Sequence, residues 1–389
     1  MSELVLSIDK LVPGGLALAR DADGVVLVRG ALPGERVRVR VDRAQKKTRH
    51  ARVLAVLAPS PDRVAPDCPH HPRCGGCDLL DLAPAAHARA KEQMLDDALT
   101  RMGRVDAETL SRARLPMDVP GAGDDARRRR ARFVVDDTGA LTFSERGAHE
   151  RVRIDSCRAL HPALDAARAA LAQQRLPAGT EVRVAVDDAG TVSVARPGGA
   201  APARLLGEVA PGVAGGPYAS DASVFTQATR FGGRAILERV LEAAGDVSGA
   251  RVLELFAGSG HLSCALVRAG AELDAVEGDG RAVELLGENL ARAGGGHARQ
   301  AFIDDALPFA AHDVLVADPP RTGIPGFAGL LARSTAARLV LVSCDLATGA
   351  RDLAIARAAG FSLSWIRPID AFPRTSHQET VSLLVRRTS

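Results

Sequence analysis

A cysteine at position 344, a glutamate at 379 and a glycine turn within residues 252–262 are the parts of this chain whose types and spacing could do chemistry. Cys344 follows the apolar run LVLVS and precedes LATGARDLAIARAAG, a helical pattern. A thiol between a strand end and a helix start lies at the ligand edge of a sheet, where the helix dipole is expected to lower its pKa. Cys264 falls mid-helix and reads as a buried structural cysteine. A thiolate can add to an electron-poor ring carbon such as C6 of a pyrimidine, which turns C5 into a nucleophile. Completing an exchange at C5 then needs a base for the C5 proton. HQETVSLLV supplies Glu379 at the start of a strand, although on spacing alone an ordinary surface glutamate fits equally well.

The turn VLELFAGSGHL is an apolar strand, two glycines and a helix start. Its glycines let the backbone approach a ligand, and nucleotide-binding folds of many kinds share the pattern. The next strand ends in AVEGD, placing Glu277 about twenty residues further on, where a carboxylate binds ribose hydroxyls. A later strand, DVLVADPPRTG, ends in Asp-Pro-Pro, an element by which methyltransferases present a base. It moves the reading from a nicotinamide cofactor to S-adenosylmethionine.

The elements that must position these residues follow from periodicity. From about residue 221, helices alternate with short buried strands, which argues for a doubly covered parallel sheet of the Rossmann-like, class I methyltransferase kind. SLSWIRPIDAF and ETVSLLVRR close it as an antiparallel pair. Residues 1–58 alternate apolar and polar positions in short runs, which predicts a small β-barrel, with Val37, Val39 and Val41 on one face of a strand and Arg36, Arg38 and Arg40 on the other. Pro59, Pro61 and Pro66 mark a linker, and residues 84–102 have helical spacing. Residues 115–205 read as β-rich around one helix near 162–174. The expected division is a barrel at 1–58, a central β-rich domain at 59–83 plus 115–215, a helical segment at 84–114 packing on the catalytic domain, and the catalytic domain itself at 216–389.

The 389-residue chain is 46% hydrophobic and 25% charged, a globular balance, and lacks the eighteen-residue apolar run of a membrane span. MSELVLSIDK is not a signal peptide, so a cytoplasmic protein is expected. The net charge of +3 is uneven: residues 1–60 hold eleven Lys/Arg against six Asp/Glu. A second run, Arg127, Arg128, Arg129, Arg130 and Arg132, lies near the middle. Clustered guanidinium groups suit phosphates, so both runs are expected to face RNA. Cys68, Cys74 and Cys77 fall within ten residues, and a reducing compartment argues against disulfides. Nothing calls for more than a monomer.

Taken in order, ADGVVLVRGALPGERVRVRV, Cys68-x5-Cys74-x2-Cys77 with a distant Cys157, SVFTQAT, ELFAGSGHL, VEGD, DPPRTG, SCDLATGARDL and FPRTSHQETV run the whole length. The chain resembles the bacterial 5-methyluridine RNA methyltransferases that carry a TRAM barrel and an iron–sulfur cluster, chiefly those acting on 23S ribosomal RNA. The resemblance implies methylation of uridine C5 in RNA, with S-adenosylmethionine and a 4Fe-4S cluster as cofactors. It favours rRNA as partner, with tRNA as the alternative. It makes Cys344 the nucleophile and Glu379 the base, and it places Gln227, Phe256, His261, Glu277 and Asp318 around cofactor and base. Asp304 and Asp305 compete for one further cofactor contact, with Asp305 preferred because Asp-Ala follows the family pattern. Cys68, Cys74, Cys77 and Cys157 correspond to the cluster ligands. Zinc is compatible by ligand type, but this spacing is not a pair of knuckles and four thiolates suit a cubane. The expected cluster is structural, since methyl transfer needs no electron.

The chain departs from the family at Ala257, at His261 and at Asp345-Leu346, and only 3% of it is aromatic, leaving Phe225 as the ring to watch for base stacking. A 5-methylcytidine enzyme would need a second cysteine near Asp-Pro-Pro, which is missing. A vestigial, non-catalytic RNA-binding protein would not need both Cys344 and Glu379, and a small-molecule methyltransferase would leave the basic barrel and the cysteines unexplained.

Overall fold

The computed structural model describes residues 2–45, 48–121, 123, 126–147, 150–208 and 217–387. The chain divides into two compact units, Met1–Leu95 with Phe143–Val152 and Pro373–His377, and Asp96–Thr142 with Arg153–Phe372 and Gln378–Ser389.

The first unit is built on a closed barrel of β1 (Glu3–Val12), β2 (Leu16–Asp21), β3 (Gly24–Arg29), β4 (Arg36–Gln45) and β5 (Thr48–Ala58), in the order β1-β2-β3-β5-β4. Period-two alternation sends Leu6, Ile8, Ala17, Ala19, Val26, Val28, Val37, Val39 and Val41 inward, and closure leaves no open sheet edge. Arg36 and Arg38 stand outward and exposed on β4, as their spacing predicts. Glu35 is buried just before β4 and accepts from the backbone N–H groups of Leu32 (2.8 Å) and Ser60 (3.2 Å) and from Arg63. That pairing ties the linker to the barrel, as a buried carboxylate requires.

In the second unit a seven-stranded sheet has the order β15-β14-β13-β16-β17-β19-β18. Its strands are β13 (Arg251–Leu255), β14 (Glu272–Glu277), β15 (His297–Gln300), β16 (Val314–Ala317), β17 (Arg338–Ser343), β18 (Phe361–Ile369) and β19 (Glu379–Arg386). Pairing is parallel from β15 to β17, and β19 then inserts antiparallel between β17 and β18. Val314, Val316, Val340 and Val342 pack in one core with α4 (Arg230–Ala244), α5 (His261–Arg268) and α6 (Gly280–Ala293). Leu315, Ala317, Leu339 and Leu341 alternate to the other face and are equally buried, where α8 (Leu346–Ala358) packs on β17 and β18. The near-continuous apolar strands are the signature of a sheet covered on both sides. α7 (Phe327–Arg333) lies between β16 and β17 in the chain. The edge strand β18 is masked by residues 114–118, where Leu115 and Asp118 donate N–H groups to the carbonyls of Ile366 and Pro368 (both 2.9 Å).

The same unit carries a second antiparallel sheet, β10-β9-β6, formed by β6 (Arg130–Val135), β9 (Glu181–Val186) and β10 (Val192–Ala195), with α3 (Pro162–Ala172) as the one expected helix; β7 (Leu141–Ser144) and β8 (Arg151–Arg153) follow β6 in the chain. The pair β11 (Leu205–Glu208) and β12 (Pro217–Ser220) follows. The expected boundary at 215/216 lies outside the described residues. Beyond α1 (Pro84–Arg101), a seven-residue helix, α2 (Ala107–Ala113), starts on the Asp106 carboxylate, which accepts from Thr109 N at 2.8 Å. It is too short to leave a periodic signal. Among the described residues no helix is long and apolar enough to cross a membrane.

Candidate active site

Strand register explains which side chains meet. Leu255 of β13 is level with Ala317 of β16, and Ala317 with Leu341 of β17, so Phe256, Asp318 and Cys344 all emerge at the carboxyl edge of the sheet. The last pair between β17 and β19 is Ser343–Thr380, and the next antiparallel rung would set Cys344 beside Glu379. Glu379 is only 2% exposed and its Oε2 is buried without a hydrogen-bond partner, which removes the surface-glutamate reading. Arg321, in the loop after Asp-Pro-Pro, favours the charged forms of both the Cys344 thiol and the Glu379 carboxyl. Asp318 and Glu379 repel each other, and burial pushes both carboxyls up.

The thiol corrects one expectation. Its pKa is pushed up, to about 12, rather than lowered by the helix. Burial is the main cause, the Glu379 and Asp318 carboxylates add to it, and Arg321 opposes them. The helix dipole does not win because Cys344 lies one residue before the N-cap of α8. The cap is Asp345, which takes the favourable position by accepting from Thr348 N at 2.9 Å.

The glycine turn after β13 holds a positive-φ conformation at Phe256 (62°), Gly258 (56°) and Gly260 (98°). At Phe256 this costs about 1 kcal/mol or more, a strain that functional turns carry. A Cβ built at Gly258 would meet nothing within 4 Å, so the turn faces open space there. Glu277 Oε2 accepts from Gly258 N at 2.9 Å, and its Oε1 accepts from Gly278 N (2.7 Å) and Asp279 N (2.8 Å). The carboxylate thus ties the turn to the end of β14 while keeping acceptor capacity for a hydroxyl. His261 opens α5 and packs edge-to-face on Tyr218, with ring centroids 5.8 Å apart. Tyr218 hydrogen-bonds Ser259, and Asn289 of α6 donates to the carbonyls of Ser259 and Ala219 (both 2.8 Å). Gln227, with a buried and unpartnered Oε1, lines a pocket of about 120 Å³ together with Tyr218, Thr226, Gly233 and His261.

Two residues here escaped the sequence reading. Arg321 sat in plain view within DPPRTG. Glu254, 1% exposed in β13, is pushed up to about 8 by burial, with Asp318 and Glu277 adding to the rise and the Ser263 hydroxyl opposing it. An acid inside an otherwise apolar buried strand was the signal. Glu254, Glu277 and Asp318 bring three carboxyl groups to this edge of the sheet, where burial favours the protonated forms of Glu254 and Asp318. Of the two competing acids beyond β15, Asp304 accepts from Ala306 N at 2.9 Å. The exposed Asp305 lies so close to the start of α7 that a Cβ at Gly329 would meet its Cβ at 2.9 Å.

In the arginine run near the middle, three members find partners within their own unit. Arg129 pairs with Asp188 and donates to the Asp187 carbonyl, Arg130 donates to the Thr226 carbonyl at 2.9 Å, and Arg132 meets Glu181. Arg130 also lies 5.1 Å from the ring centroid of Phe225, which is 63% exposed. Cys68, Cys74 and Cys77 lie in the first unit and Cys157 in the second, all half-buried. Four thiols are the right donor type for a cluster, but among the described residues no three metal-ligating side chains are gathered as folded.

A family model described as "Conserved hypothetical protein 95" matches residues 234–321. The 23S rRNA (uracil(1939)-C(5))-methyltransferase RlmD of Chromohalobacter salexigens is 34% identical over 98% of this chain and 89% of its own length. That of Halomonas elongata is likewise 34% identical, over 97% and 89%. The solved tRNA (uracil-54, C5)-methyltransferase of Pyrococcus abyssi, in complex with S-adenosyl-L-homocysteine, superposes with a TM-score of 0.72 over 98% of this chain and 99% of that one, at 19% identity. At that identity the likeness concerns the fold, a class I methyltransferase sheet with an N-terminal barrel.

Proposed function

Since the chain belongs to the bacterial RNA uracil-C5 methyltransferases and methylates uridine C5 in RNA with S-adenosylmethionine, we propose that its substrate is 23S rRNA and that Cys344 forms a transient bond to uracil C6. The observation that carries the mechanism is the rung matching Cys344 with the buried Glu379, flanked by Asp318 and Arg321.

The thiol rests protonated, so its proton passes to the ionised member of the Asp318–Glu379 pair, and on to solvent, as sulfur bonds to C6. The electrons of the C5–C6 double bond move toward C5, which becomes the nucleophile. When bound, S-adenosylmethionine supplies an electrophilic methyl group. Glu379 then takes the C5 proton; the C5–H electrons restore the double bond and the C6–S electrons return to sulfur. Arg321 keeps the negative charge of this cycle beside it.

Gln227, Phe256, His261, Glu277, Asp305 and Asp318 would hold the cofactor, supported by the open side of Gly258, the unpartnered Gln227 acceptor and the carboxyl groups at this edge. Glu277→Ala should weaken S-adenosylmethionine binding by about 1.5–3 kcal/mol, the scale of a hydrogen bond to a charged group, as read by calorimetry. Affinity equal to wild type would remove Glu277 from the set.

Residues 1–58 supply RNA affinity through Arg36 and Arg38, and Phe225 offers its exposed ring to an unstacked base. Cys68, Cys74, Cys77 and Cys157 hold a structural 4Fe-4S cluster, supported by donor type and spacing. Methyl transfer moves no electron, so no step of the reaction runs through it. Iron and sulfide analysis of protein isolated without oxygen decides that point. The enzyme acts as a cytoplasmic monomer with a barrel at 1–58, a central domain at 59–83 plus 115–215, a helical segment at 84–114 and a catalytic domain at 216–389.

The target is tested by mass spectrometry of rRNA and tRNA from a strain lacking the gene. One 5-methyluridine should vanish from 23S rRNA and return on complementation; its loss from tRNA alone would replace the proposed substrate.

A further inference from the structure

The loop after Asp-Pro-Pro makes few attachments to its own strand but several to the helix that follows the nucleophile. Thr348 Oγ1 donates to the Arg321 carbonyl at 2.9 Å, and Arg351 Nη2 donates to the Thr322 carbonyl at 3.0 Å. The Arg351 fork also grips Asp352 Oδ1 (3.0 and 2.8 Å). Asp352 is 1% exposed, and its other oxygen, Oδ2, is buried without a hydrogen-bond partner. The loop closes tightly, with Gly323 N donating to the Pro320 carbonyl at 2.8 Å and Gly323 at φ +83°. A Cβ at Gly323 would meet Asp352 Oδ2 at 2.6 Å and Thr348 Cγ2 at 2.7 Å, so helix and loop are in close contact.

The first turn of the same helix is also fixed to the strand end that carries Cys344. Ser343 Oγ donates to the Asp345 carbonyl at 3.0 Å, and the Asp345 carboxylate caps α8 at Thr348 N. A Cβ at Gly349 would meet the Ser343 Cβ at 2.8 Å, so the first turn is pressed onto the end of β17. Thr348 therefore serves both ends: its N–H holds the cap next to Cys344, and its hydroxyl holds the backbone of Arg321.

We propose that Thr348, Arg351 and Asp352 are positioning residues that clamp the 320–324 loop to α8 and so keep the Arg321 guanidinium within electrostatic reach of the Cys344 sulfur. The inference rests on the reading of Cys344 as nucleophile. The sulfur is faced by Glu379 from β19 and Asp318 from the end of β16, which oppose a thiolate, and by Arg321 from the loop, which favours one. Loosening the clamp withdraws the favourable partner and leaves the two unfavourable ones, since both carboxyls belong to the sheet.

The test uses full-length protein, S-adenosylmethionine and a 23S rRNA transcript containing 5-fluorouridine, reading covalent adduct formation in single turnover across pH. In Arg351→Met and Thr348→Val the rate near neutrality should fall roughly ten- to a hundredfold, the scale of a misplacement of about 1 Å. The rising limb of the pH profile should move to higher pH, while RNA affinity stays within about twofold. Arg351→Lys, which still reaches the Thr322 carbonyl, should recover part of the rate. Unchanged rates, or a loss with an unmoved pH profile and a lowered melting temperature, would overturn the clamp and leave a merely structural contact. If Arg351→Met does not fold, Gly323→Ala strains the same contact from the loop side and must shift the profile in the same direction. No adduct from the wild type would instead overturn the chemistry on which the inference rests.

Discussion

Replacing Cys344 by alanine should reduce uridine methylation by about 10⁴-fold or more and abolish the covalent complex with 5-fluorouridine RNA, because the nucleophile has no substitute within reach. Fluorine at C5 cannot leave as a proton does, so the wild-type adduct is trapped and survives denaturing electrophoresis. Cys344→Ser is the stricter variant. A hydroxyl keeps the size and the hydrogen-bonding capacity of the thiol but is far harder to ionise between Glu379 and Asp318. Serine should therefore be nearly as inactive as alanine, and a serine variant working at the wild-type rate would refute the adduct. Folding should survive both changes, since Cys344 is half-buried at a strand end rather than in the core.

The same reaction has a pH dependence of fixed sign. The thiol lies high, at about 12, so the reactive thiolate is a small fraction at neutrality and grows with every rise in pH. Adduct formation should climb through the neutral range and into about pH 9 without a plateau. A lowered thiol, as expected from the helix dipole, would have flattened the profile below neutrality. The rate measured at mildly alkaline pH separates the two.

That reversal shows where the sequence stopped being legible. The strand and helix alternation from about 221 onward, the glycine turn, Asp-Pro-Pro and the cysteine at a strand end are local patterns, and the sheet follows from them. The insertion of β19 between β17 and β18 is not local, and it alone brings residue 379 next to residue 344 and buries it. Without that adjacency the thiol's surroundings could be judged only from its own helix, and the judgement had the wrong sign. The partners of the arginine run are equally non-local: Arg129 finds Asp188, 59 residues away, beside a sheet pairing that no window of sequence contains. The barrel was legible because apolar and polar positions broadly alternate along β1 and β4 and its five strands follow one another without insertion.

Replacing Glu379 by glutamine should separate the two halves of the reaction. Loss of the base should slow turnover by about 10²–10⁴-fold, the usual contribution of a positioned proton acceptor. The effect on the first half has the opposite sign. Glu379 is one of the two carboxyls that push the Cys344 thiol up, and an amide at that position removes its charge while nearly keeping its shape. The thiol should then ionise at lower pH, and the rising limb of adduct formation should shift toward acid. Arg321, relieved of one carboxylate, would interact more fully with the sulfur. The variant should therefore capture ordinary, unfluorinated RNA as a covalent complex that forms readily, already carries the new methyl group and fails to resolve. Mass spectrometry of the denatured complex, digested to a peptide containing Cys344, identifies the trapped product. A folded Glu379→Gln protein that makes no complex, or one that releases 5-methyluridine at the wild-type rate, would show that the buried glutamate does not take the C5 proton. Asp318, its neighbour in the carboxyl pair, would then be the remaining acid facing the sulfur.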